Sequence, residues 1–490
     1  MPFVFDNTYA RLPPRFFAPV FPTKVRGPRV VKVNRGLAEA LGLDPDELAS
    51  PEGAQVLAGN APPAGAEPIA LAYAGHQFGS FVPRLGDGRA ILLGEVIDKQ
   101  GKRVDIQLKG AGRTPFSRQG DGRAALGPVL REYIVSEAMA ALGVPTTRAL
   151  AAVVTGEPVH REEVLPGAVL ARVAASHIRV GTFEFLAARD DREGLNTLAA
   201  YALRRHYPDA ADTGNDALAL LERVVDAHAT LVARWLGVGF VHGVMNTDNT
   251  SIAGETIDYG PCAFLDETDL NKTFSSIDHG GRYAFANQPR IAQWNLARFA
   301  ETILPLLADS EKEAVGRATE RLQHFSTLFA AAHAKVFRAK LGLLREDKDD
   351  PALAADLLER MASSGVDFTI FFRRLSVAAT DSSEDAGIAS LFSDPSAFDD
   401  WAQAWRRRLA TENVAPNARA AAMRHANPAF VARNHRVAQA LEAAVGREDY
   451  QPFETLVAVL AQPYDDQPEF AHLAEAPRPE ERVVRTFCGT

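Results

Sequence analysis

The residues best suited to chemistry in this chain are an amide, two carboxylates and a set of cations whose spacing points to phosphate. The stretch His242-Gly-Val-Met-Asn-Thr-Asp-Asn249 is followed by Ile257-Asp-Tyr-Gly260. Asn249 and Asp258 offer hard oxygen ligands of the kind Mg²⁺ takes beside a phosphate. Asp248, immediately before Asn249, adds a carboxylate able to accept a proton. Upstream, Lys109 ends the run Arg103-Val-Asp-Ile-Gln-Leu-Lys109, and Arg172 and Arg179 flank a later turn. Two such arginines beside a triphosphate can bind its terminal phosphates as planar forks. Each feature alone is ordinary, because Asn, Asp and Gly are common turn formers and a lysine at a strand end is usually solvated. Their combination argues for a nucleotide and a divalent cation.

The spacing resembles that of a protein-kinase catalytic loop and metal triplet. In that pattern an H-R-D-x-x-x-x-N loop supplies a base Asp two residues after the His and a metal-binding Asn seven residues after it, and a D-F-G Asp supplies the second metal contact. Asn249 occupies the Asn position and Asp258 the triplet position, but the base position is Val244, which cannot accept a proton. The parts that hold nucleotide and Mg²⁺ are kept, while the part that would activate a phosphate acceptor is changed.

These side chains need elements to position them. Ala90 to Leu93 and Arg103 to Lys109 read as two strands of a hairpin joined by 98–102, after the tight turn Gly86-Asp-Gly88. A helix over 128–142 is expected, with Pro128 in its first turn and Gly143 as its stop. It carries Glu132 and Glu137, either of which could hold the strand lysine; Glu132 is favoured because it falls nearer the helix start. Between hairpin and helix lies Phe116-Ser-Arg-Gln-Gly-Asp-Gly-Arg-Ala-Ala-Leu-Gly127, containing Asp121 and Gly122. Its backbone N–H groups could cradle an anion, and a flexible insertion would explain its glycines equally well. Further strands are expected over 146–154 and 168–174, and amphipathic helices over 215–236 and 289–307. His228, on the first of these helices, reads as a packing residue.

The fold expected is α+β, an atypical protein-kinase-like two-lobe architecture. Residues 1–66 form an N-terminal wrapping segment, within which the Pro- and Gly-rich run 53–67 reads as a surface connection. Residues 67–175 form the N-lobe with its inserted Gly-rich loop, and 176–308 the C-lobe with catalytic loop and metal triplet. Residues 309–490 form a helical extension broken at Gly342, Pro351, Pro395 and Pro428, with no chemistry of its own and a cysteine in its tail.

The 490 residues, 47% hydrophobic and 23% charged, suit a soluble globular protein with two or three domains' worth of core. A formal net charge of −9 argues against an electrostatic grip on nucleic acid. No secretory signal or bilayer-spanning run is visible, so a cytoplasmic monomer without membrane contact is expected. Cys262 and Cys488 are the only cysteines, too few for a disulfide framework or a thiolate zinc site.

The blocks YAGHQFG, GDGRAILLGE, IQLKGAGRTPFSRQGDGRAALGPVLREYIVSEAM, HGVMNTDN and IDYGPCAFLD, with the terminal Cys-Gly-Thr, resemble the selenoprotein O family over nearly the whole chain. The resemblance implies a pseudokinase fold that binds ATP reversed and transfers AMP to Ser, Thr or Tyr hydroxyls of proteins. It implies nucleotide binding by Gly86, Gly88, Arg89, Lys109, Asp121, Gly122, Arg172, Arg179 and Asp258. It further implies a base at Asp248, Mg²⁺ or Mn²⁺ on Asn249 and Asp258, and a redox switch between Cys262 and Cys488. No base-reading pocket is visible in the sequence, so UTP stands beside ATP as a donor. The competing readings are ordinary phosphotransfer, disfavoured by Val244, and an inactive nucleotide-binding scaffold.

Overall fold

The computed structural model describes residues 3–212 and 214–487. Its centre is an antiparallel sheet to which the N-terminal stretch contributes both edges. The strands are β1 (Phe17–Pro19), β2 (Arg29–Val33), β3 (Ile69–Leu71), the separate hairpin β4 (Gly75–Gln77) and β5 (Ser80–Val82), β6 (Ala90–Ile97), β7 (Arg103–Lys109), β8 (Ala124–Ala125), β9 (Arg148–His160) and β10 (Val164–Ala174). The sheet order is β1-β3-β6-β7-β10-β9-β2, with β8 added beside β10.

The period-two alternation of strands sorts this sheet into two chemically different faces. Ile91, Leu93, Ile106, Leu108, Val169, Ala171 and Val173 are buried in one apolar cluster. They share it with Ala38, Leu48 and Leu57 from three short helices, α1 (Arg35–Ala40), α2 (Pro45–Ala49) and α3 (Pro51–Leu57). The alternate positions therefore face the other way, and beside the apolar Leu92 and Leu170 they include Asp105, Gln107, Lys109 and Arg172. In register, Lys109 lies opposite Leu170 and Arg172 opposite Gln107. A strand pattern that looks half-polar in sequence thus delivers a row of functional groups to one side.

Helix α3 corrects the expectation of a surface connection over 53–67. Ser50 caps it by accepting from the Gly53 N–H, and Pro51 occupies its first turn. That pairing of an N-cap serine with an early proline outweighs the glycine and small residues that suggested a loop.

Against the polar face packs α4 (Leu126–Ala141), whose buried residues include Glu132, Tyr133 and Ile134. The chain continues through α5 (Val180–Ala187), α6 (Arg192–His206) and α7 (Asp216–Gly237), the last capped by Asn215. Next, β11 (Phe240–Val241) pairs antiparallel with β12 (Ala263–Phe264). This two-residue ladder closes the base of the 242–262 excursion, so the Asn249 and Asp258 stretches leave and return to one point.

The remaining chain is helical: α8 (Gln288–Leu307), α9 (Glu311–Leu341), α10 (Asp350–Ser364), α11 (Phe368–Ala378), α12 (Asp385–Ala389), α13 (Ser396–Ala410), α14 (Pro416–Ala426), α15 (Asn434–Arg447) and α16 (Gln451–Leu460). Helices α9 to α14 build a second core around Phe371, Phe398, Trp401 and Trp405. The chain then doubles back: α15 and α16 pack on α4, with Tyr133 and Phe453 edge to face at 5.6 Å. No described helix is long and apolar enough to cross a membrane.

Candidate active site

A cavity of about 880 Å³ opens between the polar face of the sheet, α4 and the 242–262 excursion. Asp258 is its electrostatic centre. Lys109 Nζ lies 2.9 Å and Arg172 Nη1 2.6 Å from Asp258 Oδ1, while Arg179 Nη1 lies 2.8 Å from Oδ2. Burial alone would raise the carboxyl's pKa, but the three cations overcome it and hold the group well below the usual carboxylate range. Its backbone stands at φ 63°, a left-handed conformation that non-glycine residues rarely adopt.

Glu132 is the second anion of this cluster, 2.6 Å from Lys109 Nζ and 3.1 Å from Arg172 Nη1. Here too burial pushes the pKa up while Lys109 and Arg172 bring it below its ordinary value. Glu137 is otherwise engaged, accepting from Arg148 at 2.9 and 2.6 Å. Arg172 also donates to Gln107 Oε1 at 2.6 Å, the cross-strand partner that the register provides. Arg179 stacks over Tyr73 at 4.5 Å and donates to the Asp248 carbonyl at 2.8 Å. The Nε atoms of Arg172 and Arg179 are buried without a protein acceptor. Each guanidinium group therefore keeps one donor that no protein group accepts.

Asp248 has the opposite environment. Its Oδ2 accepts from Gln77 Nε2 at 3.1 Å, and its Oδ1 is buried with no protein donor. Burial, only partly offset by Gln77 and Arg179, pushes its pKa up to about 6. Asn249 Nδ2 donates to the Val244 carbonyl at 3.0 Å, which leaves Oδ1 as the free amide acceptor.

His242 organises the loop. It is buried and its pKa is lowered by that burial; its Nε2 lies 3.0 Å from the Ile257 carbonyl and its Nδ1 accepts from the Val244 N–H at 3.4 Å. One neutral imidazole therefore ties the Asn249 stretch to the Asp258 stretch. Gly243, at φ 78°, passes so close to Pro261 that a Cβ would lie 2.6 Å from its carbonyl oxygen, so only glycine fits there.

A family model described as protein adenylyltransferase SelO matches residues 2–461. The chain belongs to this family. A relative in Methylorubrum populi, named protein nucleotidyltransferase YdiU, is 63% identical over 494 residues, covering 100% of this chain and 99% of the relative. Proteins of the same name in a Bradyrhizobium species and in Rhodopseudomonas palustris are each 61% identical over 488 residues, again covering 100% of this chain and 99% of theirs. This SelO-family chain is therefore a protein nucleotidyltransferase, and a nucleotide is its substrate.

Of the SelO-family positions expected from sequence, Gly88, Arg89, Lys109, Arg172, Arg179, Asp248, Asn249 and Asp258 line the cavity together, as does Glu132. Gly86, Asp121 and Gly122 do not line it. Gly86 packs against Phe116 in a turn at φ 71°, and Asp121 pairs with Arg161 at 2.8 Å. Cys262 is a buried free thiol whose pKa burial pushes up to about 11. Cys488, its expected partner, lies outside the described residues.

The structure also brings in residues that sequence reading missed. Gln77, Asp87 and Asn246 line the cavity, as do Asn434, Ala438 and Leu441 from α15 and Arg485, Thr486 and Phe487 from the tail. Thr486 Oγ1 donates to the Pro261 carbonyl at 2.6 Å, and its N–H to the Phe274 carbonyl at 2.7 Å. Gln77 lay within the quoted YAGHQFG block, so a signal existed for it. The α15 and tail residues carried none.

Proposed function

We propose that this enzyme transfers AMP from ATP to Ser, Thr or Tyr hydroxyls of protein substrates and releases pyrophosphate. It does so with a pseudokinase architecture in which the nucleotide lies reversed, its α-phosphorus toward the acceptor. On this reading residues 67–175 act as an N-lobe and 176–308 as a C-lobe, with 1–66 wrapped on the former and 309–490 extending the latter. The observation that carries the proposal is the division of labour between Asp248 and Asp258. Asp258 is paired with three cations and stays ionised, whereas Asp248 keeps a buried oxygen without a partner. Val244, at the position of a kinase base, cannot take a proton, and Asp248 is the carboxylate that can.

Lys109, Arg172 and Arg179 hold the phosphates that leave as pyrophosphate, Glu132 keeps the first two in place, and Gly88 and Arg89 border the same space. The turn carrying Gly86 reaches the cavity through Asp87 and Gly88, and the loop carrying Asp121 and Gly122 through Arg118 and Ala124. Asp248 accepts the hydroxyl proton as the oxygen attacks the α-phosphorus. Asn249 Oδ1 and the Asp258 carboxylate are hard oxygen donors beside a phosphate site, a set that fits Mg²⁺ or Mn²⁺. When bound, that ion offsets charge on the phosphates.

Incubation with ATP labelled at the α- or the γ-phosphate tests the proposal. Stable α-label on protein is the expected result. Transfer of γ-label would establish ordinary phosphotransfer instead, and no label from either would establish a scaffold. The same experiment with α-labelled UTP defines the donor base.

A further inference from the structure

The hairpin β4–β5, at the heart of the Tyr73-Ala-Gly-His-Gln-Phe-Gly79 block, lies against the catalytic loop and is registered to it residue by residue. The His76 N–H donates to Thr247 Oγ1 at 2.6 Å, and the Phe78 N–H donates to Asn246 Oδ1 at 3.1 Å. Thr247 Oγ1 in turn donates to Glu184 Oε2 at 2.6 Å, and the other Glu184 oxygen lies 2.6 Å from His76 Nδ1. Asn246 Oδ1 receives a second bond from the Tyr283 hydroxyl at 2.6 Å. At the hairpin's start, the Ala74 N–H donates to the Gly181 carbonyl at 2.8 Å. These contacts are enough to dock the hairpin, and none of them touches the Asp248 side chain.

Between the two docked positions stands Gln77, whose Nε2 makes the one protein hydrogen bond to the Asp248 carboxylate among the described residues. Gly75 completes the arrangement on the other oxygen. A Cβ there would lie 2.6 Å from Asp248 Oδ1 and 2.9 Å from its Cβ. The backbone at Gly75 is not in the left-handed region, so what the position demands is space.

We propose that Gly75 and Gln77 form a positioning element for the Asp248 carboxylate: Gln77 donates to Oδ2, and Gly75, lacking a Cβ, lets the hairpin backbone close against Oδ1, so that the carboxylate is held in one orientation for the acceptor hydroxyl. A carboxylate on a short side chain has one free torsion that decides which oxygen faces a reactant. A single donor on one oxygen, fixed by a docked strand, removes that freedom before the acceptor arrives. The inference rests on Asp248 being the proton acceptor proposed above.

The test uses the full-length enzyme and transfer of α-labelled AMP to protein. Gln77→Met keeps length and volume and deletes the donor; Gln77→Glu keeps the shape and places an acceptor where the donor was. Gly75→Ala crowds the other oxygen. Each is expected to lower kcat by about tenfold or more, the range of a hydrogen bond to a charged group, with the KM for ATP unchanged and, for the two Gln77 variants, the thermal midpoint unchanged. In an Asp248→Ala background, Gln77→Met is expected to cause no further loss of residual transfer, because Gln77 acts only through that carboxylate. A kcat for Gln77→Met within twofold of wild type, a change confined to KM, or an additive loss in the Asp248→Ala background overturns the proposal. Should Gln77→Met lower the thermal midpoint, Gln77→Glu is judged by the same criteria. The two failures are separable. Wild-type transfer by Asp248→Asn removes Asp248 as the base, whereas an essential Asp248 with an inert Gln77→Met and Gly75→Ala removes only the positioning element.

Discussion

Two buried charge clusters sit on the same polar face of the sheet, and they differ in what they can reach. At the cavity, Lys109, Arg172 and Arg179 converge on Asp258, with Glu132 and Asp87 as further carboxylate partners. At the far end of the face, the buried guanidinium of Arg205 serves two carboxylates, Glu95 at 2.8 Å and Asp105 at 2.6 Å, and Arg103 reaches Glu95 at 3.4 Å. The second cluster is closed on every side. Arg205 also donates to the Ala175 carbonyl, His177 donates its N–H to Asp105, and Thr8 donates to Glu95. The first borders the cavity through Lys109, Arg172, Arg179 and Asp258. Both clusters pair their buried charges, as the cost of desolvation requires. Only the first borders an open cavity, where its cations can meet a polyphosphate. The difference teaches that burial and short ion pairs do not by themselves mark a site; access does.

The comparison breaks if the two clusters respond alike to losing their central charge. Asp258→Ala is expected to abolish AMP transfer, by about 10³-fold or more, because it removes a proposed metal ligand and the anchor of three cations. Transfer of α-labelled AMP measures this, and a retained rate would contradict the assignment. Arg205→Leu should instead act on folding. It leaves Asp105 without its guanidinium partner and Glu95 with only Arg103, at 3.4 Å, at a cost of about 3–5 kcal/mol. Chemical denaturation should show that loss, while the folded enzyme keeps its specific activity.

A third buried charge sharpens the same contrast because it has no carboxylate at all. Lys340, near the end of α9, is buried, with Nζ 4.1 Å from the Phe372 ring and 5.3 Å from that of Phe368. Burial pushes its pKa down to about 7. The unfolded chain holds that proton up to the ordinary lysine value, so the destabilisation is fully present below about pH 7. It fades as pH rises toward roughly 10.4. Lys340→Met should therefore raise stability by about 2 kcal/mol near neutral pH, and the gain over wild type should shrink in thermal melts at pH 9 to 10. A gain independent of pH would show that packing, not charge, is responsible.

The sheet and its flanking helices were legible because they are written in local periodicity. Arg103 to Lys109 alternates strictly, and α7 repeats apolar residues at helical spacing with Asn215 and Gly237 at its ends. The loop residues Asn249 and Asp258 stood out through kinase-like spacing, and Asp248 as the extra carboxylate beside Asn249, its role coming from the family resemblance. What escaped depends on contacts between distant segments, which leave no period to read. Gln77 meets Asp248 across 171 residues, and the 309–475 stretch, in which no chemistry was seen, supplies Asn434, Ala438 and Leu441 to the cavity wall. The choice between Glu132 and Glu137 could be argued from helix position, but Arg148, which occupies Glu137, comes from a strand whose register no local pattern fixes.

The smallest effect separates the two aspartates of the site from each other. Asp258, held far below the usual carboxylate range by its cations, stays ionised at every pH near neutrality and contributes no pH dependence there. Asp248, with its pKa raised to about 6 by burial, changes charge within the working range. A protonated carboxyl cannot accept the hydroxyl proton, so transfer should be near its plateau at pH 7 and fall as pH drops through 6. Between pH 7 and pH 5 the ionised fraction, and kcat/KM with it, falls about tenfold, equivalent to about 1.4 kcal/mol. Asp248→Asn should remove this acid limb together with most of the activity. If the limb persists in the residual activity of Asp248→Asn, the titrating group is another one, and the contrast between an ionised anchor and a poised base does not hold.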